Sequence, residues 1–561
     1  MAAQQEGCIA MPVISINRKY LYGLIGKGMD DRKFSEYISK LGFAVEAVGE
    51  EDIAVEITAN RLDLLDAVGL ARTIKNFMHK SRRFHYEIED EEPALEITVD
   101  KSVAAVRPFI SAVAAFGVEM SDDLVLNLIN FSEKFCETYG RNRRKIAMGF
   151  HDLDRIKGPL IYRSAGDIEF APLGHRSKMK FSKVLETEEK GKQYGGAIRD
   201  EVRQFYPALS DSEGPIAFIP ILNSERTRIT PSTRNVFVDI TGVSEYAVNK
   251  VTELLAAIFI DLGARTRRVK INYDGKTVLS PVMAKRYMTI PIKRAELEIG
   301  VGIGYNNIIS LANKMGYEAG MVGNDIRFCI PEYRLDVIDE QDVIEDIAIG
   351  YGYEYINPLP IQYSQPGRLE TKTEFNRRAS DIMIGLGFSE CTNSYLTNAQ
   401  NNFAKAGIES ANAILLKNSN TESITMLRTW LLPSLLGNLG QSGHESMPQG
   451  IFEVDLAFEE RMGRPVESNR LAFVSVNPKA NFNDSKAAVE GLLYALGIDY
   501  TVSGSGHKAF IEGRCAKITV GGADVGFFGE LHPEVLKNFG IEEAGIALEL
   551  VLDSLYPKNQ T

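Results

Sequence analysis

Four of the seven acidic residues in the segment PEYRLDVIDEQDVIEDIAIGYGY, residues 331–353, are spaced so that they could act together. Asp342, Glu345 and Asp346 are spaced i, i+3 and i+4, which places them on one face of a helix. Asp336 precedes that helix. Like charges this close repel one another unless a cation joins them, and Mg2+ prefers oxygen ligands. The spacing therefore predicts a metal site, although acidic residues at a helix start are also typical of simple capping.

The elements that must position these carboxylates are a short strand and a helix. Tyr333, Leu335 and Val337 alternate with polar residues, which predicts an extended segment. Pro331, just before them, disfavours helix at its predecessor. Asp339 is the predicted N-cap of the helix, because apolar residues recur at helical spacing beyond it.

A second set of polar residues closes a predicted strand in the sequence VFVDITG, residues 236–242. Asp239 and Thr241 stand at the end of this strand, and Asn223 and Glu225 lie in a polar turn upstream. On residue types alone, a strand-end turn with local hydrogen bonds accounts for all four.

Composition limits the class of protein. A chain of 561 residues exceeds one hydrophobic core and predicts three to five domains. The formal net charge of −12 argues against a protein that coats nucleic acid non-specifically. Local RNA contacts would come from basic patches such as Arg141–Lys145 or Arg265–Lys270, each of which is alternatively a solvated face.

Cysteine usage and hydropathy indicate the compartment. The five cysteines are scattered without a C-x-x-C pair, so neither a zinc site nor a disulfide framework is expected. The N-terminus lacks the features of a secretory signal, and no run approaches the roughly 20 apolar residues that cross a bilayer. We therefore expect a cytoplasmic protein without a membrane partner.

Composition shifts predict five parts of the chain. They are an extension (1–10), an N-terminal α/β module (11–90), a larger α/β domain (91–275), a small mixed domain (276–356) and a last domain (357–561). The acidic stretch 87–92 and the sequence NPLP at 357–360 are the linker signals.

Apolar periodicity predicts the principal elements. Helices are expected where apolar residues recur three and four apart, at residues 30–41, 121–139, 244–262, 306–315 and 485–496. In the small domain, residues 322–327 and 328–330 suggest two short strands with a turn between them.

Several of these motifs resemble those of one family, the β subunits of phenylalanyl-tRNA synthetases. The string EITANRLDLLDAVGLARTI (56–74) is similar to the N-terminal module of that family. The strand that ends in Asp239 and Thr241 resembles its editing domain. The pattern Pro-x-x-Arg-x-Asp, followed by acidic residues and Gly-Tyr, resembles its Mg2+-binding segment.

The resemblance implies an α+β multidomain fold. It consists of an editing α/β domain, a winged-helix-like metal-binding domain and a class II synthetase-like antiparallel sheet that is catalytic-like but inactive. Carried over by position, the Mg2+ ligands are Asp336, Asp342, Glu345 and Asp346.

The resemblance also implies partners and activities. An α subunit would use ATP and charge tRNA(Phe) with phenylalanine, in an α2β2 assembly. The β subunit would hydrolyse Tyr-tRNA(Phe), with Asp239 and Thr241 recognising the substrate and positioning water. A site that pairs the tyrosine hydroxyl rejects phenylalanine strongly, because its polar groups would otherwise stay unpaired.

Missing cations predict that the last domain does not activate an amino acid. Class II catalysis needs an arginine two residues before Glu453, where this chain has Ile451, and another in the Gly526–Gly529 strand, where none occurs. The rival interpretations are a stand-alone ATP-dependent ligase and a non-catalytic scaffold or RNA-binding subunit without editing.

Overall fold

The computed structural model describes residues 12–79, 85–88, 91–198, 206–360, 367–419 and 421–556. The predicted extension 1–10 and part of the acidic linker 87–92 lie outside these ranges. The chain forms two compact units, Met1–Pro360 and Ile361–Thr561.

The first module of unit one pairs a small sheet with three helices. Its elements are β1 (Val13–Asn17), α1 (Arg18–Ile25), α2 (Asp31–Lys40), β2 (Ala44–Val48), β3 (Asp52–Glu56) and α3 (Ala67–Phe77). The strands are ordered β1-β3-β2, and all pairs are antiparallel. Asp30 and Asp66 cap α2 and α3 by accepting backbone N–H groups, which explains where these helices begin.

A large mixed sheet follows. Its strands and the two short strands beside it are β4 (Glu96–Val99), β5 (Phe109–Phe116), β6 (Ile146–Asp152), β7 (Leu160–Ala165), β8 (Glu169–Phe170), β9 (Met179–Lys180), β10 (Tyr206–Asp211), β11 (Gly214–Phe218), β12 (Leu222–Asn223), β13 (Asn235–Gly242), β14 (Arg265–Tyr273) and β15 (Lys276–Ser280). The helices of this part are α4 (Asp122–Glu137), α5 (Phe181–Thr187), α6 (Glu189–Tyr194) and α7 (Glu245–Asp261).

The order of the main sheet is β12-β11-β10-β7-β4-β14-β5-β13-β6, with β15 on β14. Within this sheet, as far as the structure describes it, only the pairs β4–β7 and β4–β14 are parallel. The predicted helices at 121–139 and 244–262 are confirmed as α4 and α7, each capped by a serine side chain, Ser121 and Ser244. Helix α7 buries most of its length, including Val251, Leu254 and Leu255, in the main core of the unit.

The small domain holds a three-stranded antiparallel sheet and three helices. Its elements are β16 (Arg286–Pro291), α8 (Ile292–Ile299), α9 (Tyr305–Lys314), β17 (Glu318–Val322), β18 (Asp325–Ile330) and α10 (Glu340–Tyr351). The predicted hairpin exists, but its turn lies between Val322 and Asp325 rather than after Arg327. Gly323, at φ 66°, makes this turn possible.

The predicted strand at residues 331–337 is wrong. The backbone turns instead, because the N–H of Arg334 bonds to the carbonyl of Pro331. Arg286 then takes the carbonyls that a strand partner would have used, with Nη1 donating to Val337 O at 3.0 Å and Nη2 to Arg334 O at 2.6 Å. A tertiary side-chain contact has overridden the local alternation.

The second unit is built on a seven-stranded sheet. Its elements are α11 (Thr371–Gly385), β19 (Ser389–Glu390), β20 (Leu396–Thr397), α12 (Ala399–Asn402), β21 (Met426–Leu427), α13 (Leu432–Gln441), β22 (Gln449–Arg461), β23 (Arg464–Val476), α14 (Phe482–Leu496), β24 (Thr501–Gly504), β25 (Phe510–Val520), β26 (Ala523–Leu531), α15 (Pro533–Asn538) and β27 (Gly545–Val551). The strand order is β19-β22-β23-β27-β26-β25-β24. All pairs are antiparallel except β19–β22. Within the described residues of the chain, no helix is long and apolar enough to cross a membrane.

Two helical glycines in the first module allow a matched test of packing. A Cβ at Gly69 in α3 would lie 1.8 Å from the carbonyl oxygen of Asp63, whereas a Cβ at Gly23 in α1 would meet nothing within 4 Å. We expect Gly69→Ala to destabilise the protein by about 1–3 kcal/mol through overpacking. Gly23→Ala should stabilise it by roughly 0.5–1 kcal/mol, because alanine loses less backbone freedom on folding.

Thermal melting followed by circular dichroism checks both variants. The melting temperature should fall for Gly69→Ala and stay equal or rise for Gly23→Ala. Equal shifts would mean that the contact between α3 and the turn at Asp63 does not exclude a methyl group.

Candidate functional site

Strand β13 carries the two residues predicted at the strand end. It lies between β5 and β6 and is antiparallel to both. Asp239 faces Gly149 of β6 in register, and Thr241 faces Ala147. Side chains two residues apart leave a strand on the same face, so Asp239 and Thr241 point to the same side of the sheet.

Both side chains line a cavity of about 290 Å3. The cavity is otherwise largely apolar, with walls that include Val125, Ile129, Met148, Phe150, Phe218 and Ile221. A mostly apolar cavity with a few polar groups is the ordinary form of a small-molecule site. Its size and lining suit an aromatic group that carries one polar substituent.

A buried histidine holds Asp239. His151 Nε2 lies 2.9 Å from Asp239 Oδ1, and His151 Nδ1 lies 2.8 Å from the hydroxyl oxygen of Thr227. All three side chains are at most 3% exposed. When His151 Nε2–H donates a hydrogen bond to the Asp239 carboxylate, Nδ1 accepts one from the Thr227 hydroxyl. Both ring nitrogens of His151 then have hydrogen-bond partners. Asp239 is thereby fixed in one orientation.

Glycine 149 leaves the room that Asp239 needs. A Cβ at this position would lie 2.6 Å from Asp239 Oδ1 and 3.0 Å from the amide atoms of Asn223. These distances are too short for any side chain, so the strand opposite Asp239 must carry glycine. Asn223 also lines the cavity and donates to the carbonyl of Phe150 at 3.3 Å.

Thr241 is held by a buried arginine. Arg107, 2% exposed, donates from Nε to Thr241 Oγ1 at 2.9 Å and from Nη2 to the Thr241 carbonyl at 2.7 Å. Burial lowers the pKa of Arg107 to about 10. Because Thr241 Oγ1 accepts from a cation, its own O–H proton remains to be donated. Thr241 is therefore suited to act as a donor beside the acceptor Asp239.

Residue types alone did not identify His151, Thr227 and Arg107. His151 lies on β6 two residues past Gly149, so alternation along this strand was the signal that could have found it. Arg107 precedes β5 and carried no signal. Glu225, a weaker candidate, lies away from the cavity lining; it accepts from Gly174 N at 2.8 Å and pairs with Arg228 at 3.4 Å.

Two of the four predicted metal ligands are neutralised by an arginine. Arg334 binds Asp336 through two hydrogen bonds, Nε to Oδ1 at 2.9 Å and Nη2 to Oδ2 at 2.7 Å. The same Nη2 lies 2.7 Å from Asp346 Oδ2, which also accepts from the hydroxyl of Tyr317. Burial by itself would raise the pKa of Asp336, but the adjacent Arg334 guanidinium outweighs it and lowers the pKa to about 2.

The other two carboxylates point elsewhere. Asp342 Oδ2 accepts the N–H groups of Ile338 at 2.6 Å and Asp339 at 2.8 Å, which forms a capping box with Asp339. Glu345 is exposed. The expectation that the four carboxylates converge is therefore wrong in this arrangement, because Arg334 and the helix N-terminus claim three of them.

In this arrangement three of the four carboxylates already have partners within the protein, and Glu345 is exposed. In the ranges that the structure describes, no group of three or more His, Cys, Asp or Glu side chains is placed to hold one metal ion. The capping alternative is confirmed, and the metal site stays a prediction.

Two arginines of the second unit, one buried and one half-buried, are paired in the same way. Arg428 Nη1 lies 2.7 Å from Glu453, and both side chains are at most 1% exposed. Arg470 lies 3.4 Å from Glu549, which also accepts the N–H groups of Leu431 and Leu432. Neither arginine belongs to a motif that the sequence indicated, since Arg428 follows β21 and Arg470 lies within β23. Each has a carboxylate partner.

The glycines of β26 serve close packing between strands. A Cβ at Gly526 would lie 2.4 Å from the carbonyl oxygen of Glu549, and one at Gly529 would lie 2.2 Å from that of Arg514. Neighbouring backbones therefore fill the space that a side chain would need at either position.

Four family models match the chain. They are the Phe-tRNA synthetase β subunit B1 domain (residues 11–80), the B3/4 domain (126–258), the tRNA synthetase B5 domain (288–353) and the phenylalanyl-tRNA synthetase β chain CLM domain (357–552). Asp239, Thr241 and His151 lie within the B3/4 match, and the four carboxylates lie within the B5 match.

Curated relatives match along nearly the whole chain. Phenylalanine–tRNA ligase β subunits of Pyrococcus furiosus and Archaeoglobus fulgidus are 32% and 34% identical, over 97% of this chain and 100% and 99% of the relatives. That of Methanocaldococcus jannaschii is 33% identical, over 97% of this chain and 100% of the relative. Among solved structures, an N-terminal fragment of the phenylalanyl-tRNA synthetase β subunit from Pyrococcus horikoshii aligns with a TM-score of 0.58 at 29% identity, covering 61% of this chain and all of the fragment.

Proposed function

The chain belongs to the family of phenylalanyl-tRNA synthetase β subunits, and from this premise we propose that it works as the β subunit of a phenylalanine–tRNA ligase. An α subunit carries ATP and phenylalanine and charges tRNA(Phe), in an α2β2 complex. The proposal is supported by matches that extend over 97% of the chain.

The second unit contributes no amino-acid activation. The support is electrostatic: an ATP triphosphate needs unpaired cations, and the buried arginines of this unit already have carboxylate partners. Arg428 is held by Glu453 and Arg470 by Glu549. Removing such a partner would leave an uncompensated buried charge, which is strongly unfavourable. The unit is instead a structural, catalytic-like part of the subunit.

The first unit edits mischarged tRNA by hydrolysing Tyr-tRNA(Phe). The observation that carries this proposal is the cavity with Asp239 and Thr241 on one wall. Asp239, oriented by His151, accepts the hydrogen bond of the tyrosine hydroxyl. Thr241, whose hydroxyl oxygen accepts a hydrogen bond from Arg107, donates a hydrogen bond to the same tyrosine hydroxyl. Water attacks the ester carbonyl at the other end of the tyrosyl group, the bond between that carbonyl and the tRNA ribose oxygen breaks, and the proton of the water passes to the ribose oxygen, which releases tyrosine and tRNA(Phe).

This pairing explains the choice of tyrosine over phenylalanine. A hydroxyl that both donates and accepts satisfies Asp239 and Thr241 together. Phenylalanine in the same cavity would leave the second oxygen of the Asp239 carboxylate and the O–H proton of Thr241 without the partner that the tyrosine hydroxyl supplies. Sites of this kind reject the analogue without a hydroxyl by about 10^4–10^5-fold.

A Mg2+ ion on the carboxylates near α10 remains part of the proposal. Asp342 and Glu345, one turn apart, present oxygens at the helix start, whereas Asp336 and Asp346 would first have to leave Arg334. No step of the proposed reaction depends on this ion.

The editing residues are tested in the complex with the α subunit. Asp239→Ala should lower kcat/KM for deacylation of Tyr-tRNA(Phe) about 10- to 100-fold, the cost of losing a hydrogen bond to a charged group. Thr241→Val should also lower it, and Thr241→Ser should retain most activity because it keeps the hydroxyl. The control Asp274→Ala removes an exposed carboxylate paired with Lys101 and should stay within twofold of wild type. Wild-type deacylation by Asp239→Ala would favour the scaffold without editing.

Activation is tested with the isolated chain. We expect no ATP–pyrophosphate exchange with phenylalanine from this chain alone and ready exchange once the α subunit is added, because Arg428 and Arg470 of the second unit are already paired with carboxylates. Measurable exchange by the isolated chain would restore the stand-alone ligase interpretation.

The metal is tested by calorimetric titration with MgCl2. Asp342→Asn keeps an oxygen for the helix cap but removes the negative charge. If Mg2+ binds here, this substitution should weaken binding by at least about tenfold, since even outer-shell partners are worth that much. The control Glu298→Gln alters an exposed carboxylate on α8. An unchanged isotherm for Asp342→Asn would leave the carboxylates with their capping and ion-pair roles alone.

A further inference from the structure

A basic turn, residues 141–145 (Arg141, Asn142, Arg143, Arg144 and Lys145), joins α4 to β6 at the edge of the editing cavity. We infer that this basic turn docks phosphates of the single-stranded 3′ end of tRNA, so that the tyrosyl group on the terminal nucleotide reaches Asp239 and Thr241. The inference rests on the proposed editing function and adds the way in which the RNA is held.

The backbone of the basic turn is held in place before any RNA binds. Arg141, Asn142 and Arg143 all have positive φ, at 51°, 52° and 63°. Non-glycine residues adopt this region rarely and at a cost. Backbone bonds maintain it: Asn142 N donates to Glu137 O at 3.1 Å, Arg143 N to Cys136 O at 3.0 Å and Lys145 N to Gly140 O at 2.8 Å.

Arg143 connects the basic turn with the cavity. Its guanidinium lies over the ring of Tyr194 at 4.2 Å, and its Nη1 donates to the carbonyls of Pro220 and Ile221. The side chain is 9% exposed and lines the cavity, and its buried Nε has no hydrogen-bond partner. The positive charge thus extends from the surface to the cavity wall.

The two neighbouring arginines face solvent without a counter-charge. Arg141 and Arg144 are exposed, and no carboxylate of the described residues forms an ion pair with either. The acidic residues nearby are engaged elsewhere, since Glu133 pairs with Lys190 at 2.6 Å and Glu137 with Lys134 at 3.9 Å. An unpaired positive surface in a chain of net charge −12 favours an anionic partner.

The other basic patch of the sequence differs in this respect. Arg265 and Arg267 both pair with Glu91, at 3.5 and 3.1 Å, and Lys270 pairs with Glu96 at 3.2 Å. Part of its charge is therefore compensated within the protein. The two patches are alike in sequence but differ in their ion pairs. Of the two, the basic turn is the one that adjoins the cavity.

RNA phosphate is the partner that fits this arrangement. If the terminal tyrosyl ester occupies the cavity, the preceding nucleotides must pass over its edge, where Arg141 and Arg144 lie outside and Arg143 inside. The planar guanidinium group of arginine can donate two parallel hydrogen bonds to the oxygens of one phosphate. Each phosphate contact on a single strand contributes about 0.7 to the slope of log K against log salt.

The test measures binding of uncharged tRNA(Phe) by the α/β complex, with the RNA either complete or lacking its 3′-terminal single-stranded nucleotides. The double variant Arg141→Gln/Arg144→Gln should bind complete tRNA roughly 5- to 10-fold more weakly, with a salt slope smaller by about 1.4, the value for two phosphates. Its binding of truncated tRNA should equal that of wild type. Arg141→Lys/Arg144→Lys should retain most of the affinity, because the charge remains.

The matched control is Arg265→Gln/Lys270→Gln, which removes two positive charges from the other basic patch. This variant should change the affinity for complete and for truncated tRNA by the same factor. Equal losses for complete and truncated tRNA, no loss at all, or the same loss in the control would each overturn the inference. These assays need no hydrolysis, so a failure of docking is distinct from a failure of editing, which the deacylation assay of wild type reports. Melting temperatures of the variants check that the basic turn remains folded.

Discussion

The antiparallel pairing of β13 with β6 is the constraint on which the candidate editing site depends. It places Asp239 opposite Gly149, the one residue type that leaves room for the carboxylate. It also brings His151, two residues along β6, within 2.9 Å of the same carboxylate. A register shift of one residue would turn His151 to the other face of the sheet. The cavity chemistry is thus a consequence of strand register.

A second rule runs through both units: a buried arginine is held by hydrogen bonds, and where its partner is a carboxylate its charge is cancelled. Arg334, Arg428 and Arg470 have carboxylate partners, which balance their positive charges. Arg107 differs, because it bonds to the Thr241 hydroxyl and to backbone carbonyls instead. Its charge remains available to polarise Thr241 toward the cavity. The proposed editing function therefore lies at the site where no carboxylate cancels the charge of the buried arginine.

The elements with strong periodicity were predictable, and those fixed by distant contacts were not. Helices α4 and α7 follow from apolar spacing and serine caps, which are local properties. The supposed strand at residues 331–337 has the correct alternation, yet its carbonyls bond to Arg286, far away in the chain. Alternation shows which side chains are apolar, but it does not show which group will bond to the backbone carbonyls of the segment.

The sequence by itself determined the family, the main helices and the candidate pair Asp239 and Thr241, because these depend on local pattern and on motifs carried along the chain. Only the tertiary structure decided that His151 and Arg107 hold this pair and that Arg334 pairs with two of the four carboxylates. It also decided which of two basic patches keeps its charge. The physical reason is that hydrogen bonds and ion pairs join residues far apart in sequence, and their geometry exists only once the strands and helices have packed.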